Sequence, residues 1–249
     1  LDDVQKKGNI VEILERKNEL IRPAVANIDQ ALVVFAVTKP KPHFNLLDRF
    51  LIMMESKGIP VVLCFNKKDI ATEPEIRELE EIYASCGYKI VFTSALEEEN
   101  VDLVKELLKG KTTAIAGPSG VGKSSLINIL QPEAQMETGS ISEKIERGKH
   151  TTTGSQIINC NGFLLFDTPG FSEISVEISP QDAVTNYPPY DKILNECKYP
   201  DCMHVSEPNC KIKQLIEEGK LSSDRHARYI EILQEIKKDY ETRYGNKKY

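Results

Sequence analysis

The sequence predicts an α/β fold in which a mostly parallel sheet is covered by helices on both faces and is followed by a smaller helical unit. Apolar, β-branched runs alternate with amphipathic stretches from Ala31 onward. These runs stop near Pro180. Beyond that point the chain reads as helical and charged, with Cys197, Cys202, His204 and Cys210 closely spaced.

Taken in order, Ala31 to Val37 is a continuous buried-strand pattern, followed by a helix with Leu46, Leu47, Phe50, Leu51 and Met54 on one face. Pro60 to Phe65 is the next strand, Pro74 to Cys86 a helix, Lys89 to Thr93 a strand and Val101 to Leu108 a helix. Thr112 to Ala116 is a strand that leads through a glycine-rich turn into a helix from Lys123 to Leu130. Gln156 to Cys160 and Phe163 to Phe166 form a hairpin across Asn161-Gly162, and a long charged helix runs from Ser223 to Tyr244. Ahead of all this, Asn9 to Leu14 is a short strand candidate with no partner nearby, so residues 1 to about 27 read as the tail of a preceding unit.

The 249 residues are enough to bury a real core, and no apolar stretch approaches the roughly 18 to 20 residues of a membrane span. Leu1 to Lys7 lacks the apolar centre of a signal peptide, so no membrane association and a cytoplasmic location are expected. A net charge of −6 argues against whole-molecule attraction to nucleic acid, leaving only local patches. Six cysteines in such a chain suggest thiols or metal ligands more than disulfides; Cys64, Cys86 and Cys160 read as core residues. His43 and His226 have no motif around them and read as surface residues.

The segment Gly117-Pro118-Ser119-Gly120-Val121-Gly122-Lys123-Ser124 fits G-x-x-x-x-G-K-S, with the preceding strand and following helix that the motif needs. Its glycines let backbone N–H groups turn toward phosphate oxygens, and the helix N-terminus adds a favourable dipole. Lys123 would sit on the β- and γ-phosphates and Ser124 on Mg²⁺, with Ser125 beside them. The competing reading is a purely structural turn.

Asn66-Lys67-Lys68-Asp69 selects the base, because the Asp69 carboxylate can accept from two guanine N–H groups and adenine presents a different edge. Lys67 would pack its stem along the base, and Ser94-Ala95-Leu96, one strand later, can supply a backbone N–H to the guanine oxygen. A polar turn after a strand is the plainer reading of the tetrapeptide alone. Downstream, Asp167-Thr168-Pro169-Gly170 suits a Mg²⁺ shell at Asp167 and a γ-phosphate contact at the Gly170 N–H. Arg147 to Thr153 reads as a switch loop in which one threonine reaches Mg²⁺; spacing does not decide which, and Thr152 is favoured. The guanine motif precedes the phosphate loop, the reverse of ordinary small GTPases, which points to circular permutation.

Cys197, Cys202, His204 and Cys210 form C-x4-C-x-H-x5-C, three thiolates and one imidazole that fill a tetrahedral shell with no open position. One structural zinc per chain is expected, with iron or a disulfide plus a spare Cys as alternatives.

These motifs, with Gly-Lys-His-Thr-Thr-Thr at 148–153 beside the Cys/His set, resemble the ribosome small subunit-dependent GTPase A family of circularly permuted bacterial GTPases. The likeness runs from about Glu15 to the C-terminus. It implies hydrolysis of GTP to GDP and phosphate stimulated by the small (30S) ribosomal subunit, contact with 16S rRNA and a role in late maturation of that subunit. It also implies an N-terminal OB-fold, a permuted GTPase domain and a C-terminal zinc domain. Only Gly8 to Leu20 looks like the end of an OB-fold, so the expected division is a remnant at 1–20, the GTPase domain at 21–180 and the zinc-binding helical domain at 181–249. A monomer is expected.

Ras-like proteins orient the attacking water with a glutamine after Asp-x-x-Gly, where this chain has Phe171. His150 in the switch loop is the candidate replacement, and the resemblance points the same way; a histidine in a basic loop that touches RNA or nothing is the plainer reading. From Asp191 onward, 12 basic residues face 11 acidic ones, so RNA contact there rests on the resemblance and on one-sided placement of Lys198, Lys211, Lys213, Lys220, Arg225 and Arg228. A GTP-dependent binding module with incidental hydrolysis, and a P-loop kinase or ATPase, are the competing functions.

Overall fold

The computed structural model describes residues 11–21, 24–131, 156–168 and 174–244. A two-residue pair, β1 (Glu19–Leu20) and β2 (Val25–Ala26), is antiparallel. The main sheet has six strands in the order β5-β4-β3-β6-β8-β7. Its members are β3 (Gln30–Ala36), β4 (Val61–Asn66), β5 (Lys89–Phe92), β6 (Thr112–Ala116), β7 (Gln156–Asn159) and β8 (Leu164–Asp167). All pairings are parallel except the β7–β8 hairpin at one edge.

β3 explains why the sequence reads as an unbroken apolar run. Ala31, Val33 and Phe35 face one layer, Leu32, Val34 and Ala36 the other, and all are buried. A strand covered on both faces has no polar side to alternate with. The first layer holds α1 (Phe44–Ser56) and α2 (Glu73–Ala84); the second holds α3 (Val101–Leu108) and α4 (Lys123–Leu130). A Thr72/Glu75 capping box with Pro74 in the first turn starts α2.

Among the described residues three α-helices follow the sheet, α5 (Pro180–Thr185), α6 (Lys211–Glu217) and α7 (Ser223–Tyr244). Their core is continuous with the α1/α2 layer: Tyr187, Tyr229, Ile232, Leu233 and Ile236 join Leu47, Phe50 and Leu51 in one apolar cluster. At its centre Asp48 of α1, fully buried, accepts hydrogen bonds from Arg225 Nε at 3.1 Å and Arg228 Nε at 2.8 Å. Tyr83 donates its hydroxyl to the same carboxylate at 3.3 Å, and the Tyr187 hydroxyl lies 3.3 Å from it while donating to the Arg225 carbonyl at 2.9 Å. The Arg225 guanidinium lies 4.2 Å from the Tyr187 ring centroid. One carboxylate thereby fixes α7 on α1, and removing either sign would strand a buried charge.

Three expectations are corrected. Val11 to Leu14 form no strand and are exposed, so the short strand candidate from Asn9 fails where it is described; nothing between residues 11 and 18 confirms an OB-fold remnant. Arg225 and Arg228 do not lie on an outer basic face, because Asp48 draws both inward. His226 is half-buried, with Nδ1 2.8 Å from the Tyr190 hydroxyl and its ring stacked on Tyr229.

Candidate nucleotide and metal sites

The carboxyl ends of β4, β5, β6 and β8 lie at one edge of the sheet, which is where an open α/β sheet builds its ligand crevice. Each carries one of the sequence motifs on the loop that follows. Register places Ala36 beside Asn66, Phe65 beside Phe92, and Ile115 beside Asp167. Neighbourhood in the sheet, not order in the chain, brings these loops together.

The phosphate loop passes close to its neighbours at two glycines. At Gly117, φ is +155° and a Cβ would stand 2.0 Å from the Val34 carbonyl oxygen. At Gly122, φ is +96° and a Cβ would stand 2.2 Å from Asn66 Nδ2. Only glycine fits either position. Lys123 Nζ donates to the carbonyls of Gly117 and Pro118, both at 2.8 Å, while Ser124 and Ser125 are exposed at the start of α4. Burial lowers the Lys123 pKa and raises that of Asp167, and each charge partly offsets the other's shift. A half-desolvated cation and carboxylate at one crevice suit phosphate and Mg²⁺ respectively.

The Asn66–Asp69 loop is wired directly to the glycine-rich Gly117–Ser124 loop. Asn66, buried, donates from Nδ2 to the Val121 carbonyl at 2.9 Å, and its Oδ1 accepts from the Thr93 hydroxyl at 3.2 Å and the Ala95 N–H at 3.0 Å. Lys67, at φ 64°, donates from Nζ to the Lys39 and Gly120 carbonyls at 2.7 Å each, so its stem spans the two loops. Ser94 donates its hydroxyl to Asp69 Oδ1 at 2.5 Å, which orients the carboxylate. Lys68 is ion-paired with Glu99. The Ser94 N–H bonds to the Glu99 carbonyl, so within Ser94-Ala95-Leu96 only the Leu96 amide has no partner among the described residues.

Thr93, Thr168 and the Lys39 carbonyl escaped the sequence reading. Thr168, buried, donates to the Ile115 carbonyl at 2.5 Å and pins the chain after Asp167 to β6. A lone threonine at a strand end carries no motif, although Thr168 sits inside the Asp-Thr-Pro-Gly tetrapeptide. His150, Thr152 and Gly170 lie outside the described residues.

Cys197, Cys202, His204 and Cys210 converge, their ligand atoms all within 4.8 Å of one another. His204 Nδ1 is 3.6 Å from Cys197 Sγ and 3.4 Å from Cys210 Sγ. A tetrahedral zinc with ordinary Zn–S and Zn–N bonds sets that edge at roughly 3.5 Å, so the donor set fits the ion. Burial holds the His204 pKa down at about 4, which keeps the imidazole neutral as a ligand must be. Burial also raises the Cys202 and Cys210 thiols, a shift that a bound cation would reverse.

Residues 13–177 match the model of a family described as RsgA GTPase. A protein of Agathobacter rectalis named small ribosomal subunit biogenesis GTPase RsgA is 52% identical over 239 residues, covering 95% of this chain and 79% of the relative. A protein of the same name from Alkaliphilus metalliredigens is 42% identical over 241 residues, covering 96% and 82%. The crystal structure of YjeQ from Thermotoga maritima superposes with a TM-score of 0.76 at 35% identity, covering 94% of this chain and 80% of that one. The crystal structure of YloQ, described as a circularly permuted GTPase, gives 0.74 at 35% identity, covering 92% and 75%.

Proposed function

The chain belongs to the RsgA GTPase family, and from that premise we propose that it hydrolyses GTP under control of the small ribosomal subunit during late maturation of that subunit. The observation that supports this best is the Asn66–Val121 hydrogen bond, which joins a guanine-selecting loop to a phosphate loop in one crevice. In this reading Asp69 accepts from the guanine edge, Lys67 covers the base, and the Leu96 amide approaches the guanine oxygen while the Ala95 amide anchors Asn66. Asn66 and Ser94 hold these groups in place, while Lys68 braces the loop through Glu99. The amides from Gly117 to Ser125 cradle the phosphates, and Lys123 leaves the Gly117 and Pro118 carbonyls to take the β- and γ-phosphates.

Mg²⁺, when bound, supplies charge neutralisation on those phosphates. Ser124, Asp167 and Thr152 would hold it, and the Gly170 N–H would meet the γ-phosphate. Phosphoryl transfer asks mainly for positioning and electrostatics, so the remaining requirement is a group that orients water. His150 takes that role where Phe171 cannot. One zinc on Cys197, Cys202, His204 and Cys210 organises the C-terminal helices. We assign 21–180 to the permuted GTPase domain, 181–249 to the zinc domain and 1–20 to the end of an OB-fold. The partners are GTP or GDP, the 30S subunit and its 16S rRNA. A cytoplasmic location fits those partners, and a monomer is our proposal for the oligomeric state; among the described residues no helix is long and apolar enough to cross a membrane.

Phe171 also favours a second reading, a slow GTP-dependent ribosome-binding switch in which hydrolysis is incidental. Pelleting the chain with purified small subunits in a non-hydrolysable GTP analogue, GDP or an ATP analogue tests the partner shared by both readings. Retention with the GTP analogue and release with GDP is expected. Equal pelleting with large subunits, or in all three nucleotides, would remove the ribosomal assignment.

A further inference from the structure

β5 closes the sheet on the side away from β7, and among the described residues no strand pairs with its outer edge. The Thr93 N–H points to the Phe65 carbonyl of β4, so in a parallel ladder the peptide groups of Ile90 and Phe92 point outward. Asn100 Nδ2 caps the Phe92 carbonyl at 2.8 Å. The Ile90 N–H, the Ile90 carbonyl and the Phe92 N–H have no partner among the described residues. Beside them α2 and α3, on opposite faces of the sheet, flank a groove of about 370 Å³. Ile76, Ile90, Phe92 and the exposed Leu103 supply apolar contacts there; Glu73 and Glu80 also line it, as does Lys68, whose charge is met by Glu99.

Charge says what the groove would accept. Between Lys68 and Lys109 there are eleven acidic and five basic residues, a net of −6 that equals the formal charge of the entire chain. The rest of the molecule is therefore balanced, and the acidic excess belongs to the segment that builds this edge. Glu80 has no ion-pair partner among the described residues, and Glu73 has only the exposed Arg77–Glu73 pair at 3.9 Å. An open edge usually carries its own protection; here that is limited to the shortness of the 4-residue strand and to Lys89, with no proline.

We propose that β5 is a docking edge for an extended, lysine- or arginine-rich peptide segment of a partner protein, which adds as a further strand between α2 and α3. Main-chain hydrogen bonds to Ile90 and Phe92 would give the register, alternate apolar side chains would enter the groove, and the basic residues would meet Glu73 and Glu80. The groove meets the nucleotide site only at Lys68, and the proposal uses no other residue of the loops at the carboxyl end of the sheet.

The test uses the full chain and a fluorescent peptide alternating lysine and valine. Its glutamate–valine counterpart, a version N-methylated on alternate backbone nitrogens, and a single-stranded RNA of similar length serve as controls. Only the lysine–valine peptide should bind, with affinity falling as salt rises. Glu80→Lys should weaken it about fivefold, and Ile90→Pro, which removes an outward N–H, about tenfold or more. GTP turnover should be unchanged in both variants. If Ile90→Pro does not fold, the N-methylated peptide still decides the point. Equal binding by the N-methylated or acidic peptide would overturn strand addition, and equal binding by RNA would make the edge a nucleic-acid surface. Self-association that competes with the peptide would mark it as a contact between copies.

Discussion

The crevice at the end of the sheet and the Cys/His cluster beyond it are built in opposite ways. The crevice draws residues from Asn66 to Asp167, far apart in sequence, and relies on parallel strands to align them. The cluster draws four ligands from Cys197 to Cys210 and relies on short spacing. The first is indifferent to where the chain begins, since cutting and rejoining a sheet whose neighbours are unchanged leaves every loop in place. The second has thiols raised by burial at its centre, a donor set that a cation would complete. One region is aligned by topology, the other by spacing.

The largest effect expected from this contrast is metal removal. Structural zinc is worth about 10 kcal/mol or more in small domains, so chelation should lower Tm by at least about 10 °C. Elemental analysis should find one zinc per chain beforehand, and GTP affinity at low temperature should change little. Loss of both together would mean that the two regions are one cooperative unit. Asp48→Ala probes the joint between them, because it leaves Arg225 and Arg228 buried without a counter-charge; a loss of about 3–5 kcal/mol is expected in urea unfolding. A loss under 1 kcal/mol would show that water or another acceptor takes over.

The same contrast explains what could be read from the sequence. Motifs in the crevice were legible because phosphate and guanine chemistry fixes residue types at fixed offsets, and the β-branched runs before them located the strands. The metal ligands were legible from spacing. The joint was not: Arg225 and Arg228 look like any charged pair on a long helix, and their destination depends on Asp48, which lies 177 positions before Arg225. Thr93, which holds Asn66, was hidden for the same reason. Val11 to Leu14 misled because closely spaced apolar residues, here interrupted by Glu12, suggest a strand, whereas a strand also needs a partner.

Smaller effects separate roles inside the crevice. Gly122→Ala should push Asn66 off the Val121 carbonyl and lower nucleotide affinity about 100-fold, with zinc content unchanged. Unaltered affinity would show that the two loops are not wired through Asn66. Asp69→Asn replaces an acceptor by a donor and should move preference from guanosine toward xanthosine nucleotide by about tenfold or more in competition assays. Retained preference for GTP would mean that another group reads the base.

The most direct test is the single-turnover rate of GTP hydrolysis by the full chain with excess small subunits, with large subunits or in buffer, ATP serving as the control nucleotide. The expected result is a rise of about tenfold or more with small subunits and GTP alone, abolished by His150→Ala while GTP affinity is kept. The same rate in all mixtures would contradict a ribosome-activated enzyme.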